Sequence, residues 1–197
     1  MTSSRAALQM CSAVAAFVLG ASDAECQVRQ QGSTSSTRSA LVYHGRTSFF
    51  VNAPNGWVID DSEAARAQGP IAVFYRRGES WRSGDAVMYA NVLTLLGTAP
   101  NALATTIDAE VARWSTAAGD AVVTALVDIR TGTGEAAKVR KFVSRSRRTH
   151  EVVAYVRNGS TVPILVVLAR SEEALVDAYP DFVRLVKSYA PGPLVRK

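Results

Sequence analysis

The side chains that could do chemistry are few and poorly spaced for it. The 197-residue chain has two histidines, His44 and His150, and two cysteines, Cys11 and Cys26. A zinc site gathers about four ligands, His and Cys foremost, at short spacings. No such cluster occurs, and neither histidine lies near Cys26 or at i, i+4 from the other. Serine chemistry needs a positioned base, and no Gly-x-Ser-x-Gly elbow is present. His150 opens a predicted strand beside Glu151, the setting of a solvated hairpin residue rather than of a base. Gly132-Thr133-Gly134 lacks both the P-loop lysine and the third glycine of a dinucleotide fingerprint, and a turn between strands accounts for it. Asp60, Asp61 and Glu63 offer hard oxygen ligands without the EF-hand spacing, so they read as a charged turn in which Asp61 or Ser62 caps a short helix. No catalytic, cofactor-binding or metal-binding residue is assigned.

Two features stand above this background. Lys138, Arg140, Lys141, Arg145, Arg147 and Arg148 fall within eleven residues, with Arg157 close behind. In an extended hairpin alternate residues face opposite sides, so Lys138, Arg140 and Arg148 share a face only if no bulge intervenes. Such a patch fits an acidic partner, a polyanion or an anionic lipid surface; equally, Lys and Arg blunt a sheet edge against aggregation. The second feature is the polar segment RRGESWRSGD, which carries Arg77 and Trp81 and is flanked by Phe74, Tyr75 and Tyr89. Trp81 is either a contact residue on a loop or a lid folded back over the core.

These residues need elements to hold them. Leu103, Ile107, Val111 and Trp114 recur at helical spacing behind Asn101, a favourable N-cap residue. A second helix follows Ser171, with Glu172 and Glu173 in its first turn and Leu175, Tyr179, Phe182, Val183 and Val186 on its apolar stripe. Pro180 lies inside that stripe and is expected to kink or split the helix. Residues 49–51, 57–60, 71–76, 87–95, 122–129, 137–144, 151–156 and 162–169 read as strands, and Asn158-Gly159 is a strong hairpin signal. Along 122–129 the alternation puts Val123, Ala125, Val127 and Ile129 on one face. Residues 152–156 and 164–168 are nearly continuous apolar runs, as expected of strands covered on both faces. The fold class is therefore α+β, a largely antiparallel sheet sandwiched by helices on both faces. In FVNAPNGWVIDD, residues 50–61, Gly56 delivers Trp57 from a turn into a strand, where Trp57 and Ile59 point together toward the core.

Apolar and charged shares of 48% and 20% suit one folded domain, and the formal charge is +5. The start is a targeting segment: Arg5, the apolar run 6–20, then small residues at Ser22 and Ala24, which predicts a signal peptide over 1–24. No transmembrane span is expected once it is removed. Residues 25–40, poor in apolar side chains, read as a disordered linker; the domain spans 41–190 and a flexible tail 191–197. Cys26, alone after cleavage, is open to an intermolecular disulfide. An exported chain makes nucleic acid an unattractive partner.

The order of these pieces resembles the PsbP-like fold, shared by extrinsic PsbP subunits of photosystem II, a nuclear Ran-GTPase-binding protein and small exported bacterial proteins. The resemblance covers residues 47–190 and rests on Pro54-x-Gly56-Trp57, the 103–114 helix, HEVVAYVRNGSTVPILVVLA with Ala154-Tyr155, and SEEALVDAYPDFVRLVKSY. It implies a binding or assembly subunit rather than an enzyme, and carries over no site. The expected function is an exported, non-enzymatic binding module working through Trp81 and Arg77 or the basic residues Lys138, Arg140, Arg145, Arg147 and Arg148. An exported hydrolase is the alternative from another class, and an anionic envelope component the alternative to a protein partner.

Overall fold

The computed structural model describes residues 28–30, 39–45, 47–60 and 72–193. In chain order its strands are β1 (Val28–Gln30), β2 (Ser39–His44), β3 (Thr47–Asn52), β4 (Trp57–Asp60), β5 (Ala72–Arg76) and β6 (Ala86–Thr94). Helix α1 (Ala102–Ala118) follows, then β7 (Val122–Arg130), β8 (Ala136–Ser144), β9 (Thr149–Tyr155), β10 (Thr161–Ala169), helix α2 (Glu172–Lys187) and β11 (Ala190–Pro191). Seven strands make one antiparallel sheet in the order β4-β5-β6-β10-β9-β8-β7, and the others a smaller sheet, β1-β2-β3-β11.

Alternation along the central strands builds two cores. Leu165 and Val167 of β10, Val152 and Ala154 of β9, and Met88 and Ala90 of β6 face one side. There they meet Val42, Phe49 and Val51 of the small sheet and Leu175, Ala178, Phe182, Leu185 and Val186 of α2. The residues between them, Ile164, Val166, Val153, Tyr155 and Tyr89, face the other side and meet Ile107 and Trp114 of α1. Helices thus cover both faces, as the unbroken apolar runs of β9 and β10 require, and the α+β class stands.

The helices are held differently. Ser171 has extended backbone and its hydroxyl accepts from the Ala174 N–H at 3.1 Å. Acidic Glu172 and Glu173 in the first turn and basic Arg184 and Lys187 in the last complement the helix dipole. Asn101 instead sits at φ −87°, ψ 4°, outside the extended conformation that aims a cap, and makes no side-chain cap bond. The approach to α1 is tied one turn in, where the Leu96 N–H donates to Thr106 Oγ1 at 2.9 Å and that hydroxyl donates to the Ala102 carbonyl. Leu103 and Val111 pack half-buried beside Ile107 and Trp114, as their spacing predicted.

Four details bear on those readings. Pro180 does not split α2; it and Val176, whose carbonyl loses its helical partner, are both on the exposed side, where water substitutes. The face expected on β7 is broken because register shifts between Leu126 and Ile129. Val123 packs toward α1, Leu126 and Ile129 lie with the α2 core, and Val127 is 87% exposed. A bulge on an edge strand resets alternation in this way. Within the segment read as a disordered linker, Val28–Gln30 pairs with β2, since main-chain hydrogen bonds need no apolar side chain. The start of the tail is also bound: Ala190–Pro191 pairs with β3, and the Gly192 N–H donates to the Ser48 carbonyl at 2.8 Å. The signal peptide, Cys26 and the 62–67 turn lie outside the described residues.

The stretch around Trp57 passes between the sheets, from β3 to β4. Gly56 has φ 84°, the left-handed conformation glycine adopts without penalty. The Trp57 N–H then donates to the Pro54 carbonyl at 3.0 Å, and the ring is buried in the α2 core with Ile59. The Arg76 guanidinium covers it at 5.6 Å from the ring centroid.

Candidate functional site

Strand alternation divides the basic residues. Ala137 and Val139 face α2, so Lys138 and Arg140 lie on the α1 side of β8 and Lys141 on the α2 side. Lys138 is paired with Asp128 at 2.7 Å and Lys141 with Glu172 at 2.9 Å. Arg140 donates to the Val139 carbonyl at 2.9 Å. The β8–β9 pairing has no bulge, yet Arg148 does not join the Lys138–Arg140 face, because it belongs to the turn.

That turn, Arg145-Ser146-Arg147-Arg148, is built around one carboxylate. Asp120, just past the end of α1, accepts from Ser144 Oγ at 2.6 Å, from the Ser146 N–H at 2.7 Å and from Ser146 Oγ at 3.0 Å. These donors, Ser144 first, hold the Asp120 carboxyl down at about 2. Arg147 donates to the Ala117 carbonyl at the C-terminal end of α1, which anchors the turn to the helix. Arg145 and Arg148 remain exposed. Arg148 has φ 50°, the one positive value outside glycine among the described residues. For a side chain with Cβ that conformation costs about 1–2 kcal/mol. The result is a pinned tip presenting two guanidinium groups, a geometry suited to carboxylate recognition.

Trp81 and Arg77 share the β5–β6 loop. Trp81 is half-buried, packed edge-on against Tyr89 with ring centroids 5.9 Å apart, so it covers the α1 core while keeping one edge in solvent. Arg77 is exposed on the same loop, and its N–H donates to the Gly56 carbonyl at 2.8 Å. The turn thus brings Arg145, Arg147 and Arg148 together, whereas Trp81 and Arg77 stand on a different loop.

Beneath α1 lies a polar group that sequence reasoning passed over. Glu151, read as a neighbour of a solvated histidine, is 6% exposed. Tyr89 Oη donates to its Oε1 at 3.1 Å. Burial above all pushes its carboxyl up to about 7; the Tyr89 hydroxyl, the Trp114 indole and Arg113 oppose that rise, and Glu110 adds to it. Burial likewise raises the Tyr155 phenol, whose hydroxyl has no hydrogen-bond partner among the described residues. Its one sequence signal was parity: Glu151, Val153 and Tyr155 alternate onto one face. His150 points to the opposite side, near Glu172 and Glu173, and His44 is exposed on β2. The two histidines therefore belong to different sheets. Among the described residues no group of three His, Cys, Asp or Glu side chains could hold a metal ion, and no helix is long and apolar enough to cross a membrane.

No protein-family model and no curated protein sequence matches the chain. Among solved structures it is similar to the PsbP protein (CyanoP) of Synechocystis sp. PCC 6803, at 18% identity and TM-score 0.39, covering 87% of this chain and 98% of that one. It is also similar to the Ran-binding protein Mog1p of Saccharomyces cerevisiae, at 11% identity and TM-score 0.46, covering 79% and 95%. A Mog1 E65A mutant gives 12% identity, TM-score 0.47 and the same coverage, 79% and 95%. The PsbP-like proteins that the sequence resembles are thus among its structural neighbours. Likenesses at this level carry no argument about a site or a partner.

Proposed function

We propose that the protein is an exported, non-enzymatic binding module that docks an acidic partner protein on the β8–β9 tip. The observation that carries this reading is the Asp120-centred turn holding Arg148 at positive φ. A solvated turn would be cheaper with glycine at that position. An arginine there, beside exposed Arg145 and with Arg147 tied to α1, supports a guanidinium pair placed for recognition. Arg140 and Lys138 lie on β8 toward its far end from the tip, and Trp81 and Arg77 on the β5–β6 loop offer a further contact region. Export rests on the 1–24 segment; N-terminal sequencing of the mature protein should begin at Glu25, and Cys26 would then be available for an intermolecular disulfide.

The docking test is site-specific photo-cross-linking in the producing cells, with a photoreactive residue replacing Arg145 in the full-length chain. One discrete adduct with an acidic protein is expected, lost at high salt and in an Arg148→Glu background. No adduct, or an adduct indifferent to Arg148→Glu, would overturn the reading. Arginine-dependent co-sedimentation with phosphatidylglycerol vesicles would replace the protein partner by an anionic surface.

A further inference from the structure

Glu151 is buried at the α1 interface, where Tyr89 Oη donates to it and Arg113 acts on it electrostatically, too weakly to offset burial. Arg113 of α1 also pairs with Glu110, with Nε to Oε2 at 3.0 Å and a second short contact between the same pair. The other groups turned toward the carboxyl are Tyr89 from β6, Tyr155 from β9 itself, and Trp114 and Glu110 from α1. Arg140 of β8 acts on Tyr155. Glu110 opposes a charge on Glu151, and Tyr155 leaves its hydroxyl unbonded in the same core. On the α2 face the corresponding layer is aliphatic and aromatic, with no buried carboxyl among the described residues.

We propose that protonated Glu151 keeps α1 seated on the sheet, and that loss of this proton loosens α1 while α2 stays in place. An ionised carboxylate in this core needs water, and lifting α1 is the movement that admits it. A hydrated carboxyl titrates near 4.5 and the enclosed one near 7, so the closed arrangement is fully favoured below the lower value. Its advantage falls as pH rises through this window and is level above it. The opening equilibrium should rise about tenfold per pH unit inside the window, or roughly a hundredfold between about pH 5 and about pH 8.

Hydrogen–deuterium exchange of the full chain, corrected for intrinsic rates, tests this. The α1 amides of the wild type should lose about two orders of magnitude of protection across that pH range, while α2 amides hold theirs. In Glu151→Gln the α1 protection should not depend on pH. Constant α1 protection in the wild type, an unchanged pH dependence in Glu151→Gln, or α2 loosening in step with α1 would each overturn the proposal. Should Glu151→Gln fail to fold, Tyr89→Phe serves instead. It removes a hydrogen bond that favours the carboxylate, so the α1 midpoint should move to higher pH, and an unmoved midpoint would count against the latch.

Discussion

The two faces of the seven-stranded sheet are built from the same strands but not by the same means. The α2 face is a layer of Val, Leu, Ala and Phe with Met88 and one tyrosine, Tyr189, and no buried carboxyl among the described residues. It is closed on its flank by the small sheet and by Trp57. The α1 face interleaves apolar side chains with Glu151, Tyr89 and Tyr155, and is roofed by a helix whose N-cap side chain makes no bond. Since residue parity alone assigns a side chain to one face or the other, a single strand such as β9 carries both chemistries. Val152 and Ala154 serve the apolar side; Glu151 and Tyr155 serve the polar one. One face fixes the fold, and the other carries a titratable group and, on the same side of β8, Lys138 and Arg140.

The largest expected effect tests the apolar face. Trp57 is 4% exposed in the α2 core, and Trp57→Ala should cost about 3–5 kcal/mol of unfolding free energy, as large-to-small core changes do. Chemical denaturation at fixed pH measures it. A midpoint close to wild type would mean that this face tolerates a cavity under β4, and that the asymmetry between the faces is weaker than their composition indicates.

A smaller effect separates the helices. Ser171→Ala removes a formed cap and should cost about 1 kcal/mol. Asn101→Ala removes a side chain that makes no cap bond and should leave stability within about 0.5 kcal/mol. Equal losses in the two variants would show that α1 is capped as firmly as α2. From sequence each site is a small polar residue ahead of an apolar stripe, with acidic first-turn residues only after Ser171; the backbone angles and the cap bond then separate them.

The same limit explains what was legible elsewhere. Helical stripes, the Asn158-Gly159 hairpin and the double covering of β9 and β10 are written in local periodicity, so sequence reading finds them. The bulge in β7 is set by pairing with β8, and the binding of Val28–Gln30 and Ala190–Pro191 by main-chain edges elsewhere in the molecule. No local pattern encodes either. At the candidate site the arginines were visible as a cluster. Alternation already put Lys138 and Arg140 on one face, but the turn that takes Arg148 off it was not legible, because it is built on Asp120, which arrives from the end of α1. Glu151 was hidden by the prior that a carboxylate beside a histidine at a hairpin is solvated, although its alternation with Val153 and Tyr155 pointed inward.

The smallest effect, and the one with the less usual sign, concerns Tyr155. Its ring is fully buried and its hydroxyl has no hydrogen-bond partner among the described residues. A buried donor left unbonded costs about 1–3 kcal/mol in lost hydration, whereas the ring contributes by packing. Tyr155→Phe keeps the ring and removes the unbonded group, so stability should be unchanged or higher by up to about 1 kcal/mol. The substitution should also leave the pH dependence of α1 protection in place, since the Tyr89 hydroxyl, not Tyr155, is bonded to Glu151. A loss above about 1 kcal/mol would show that the hydroxyl has a partner after all. The α1 face would then be a satisfied polar network, and its contrast with the α2 face one of composition without consequence for stability.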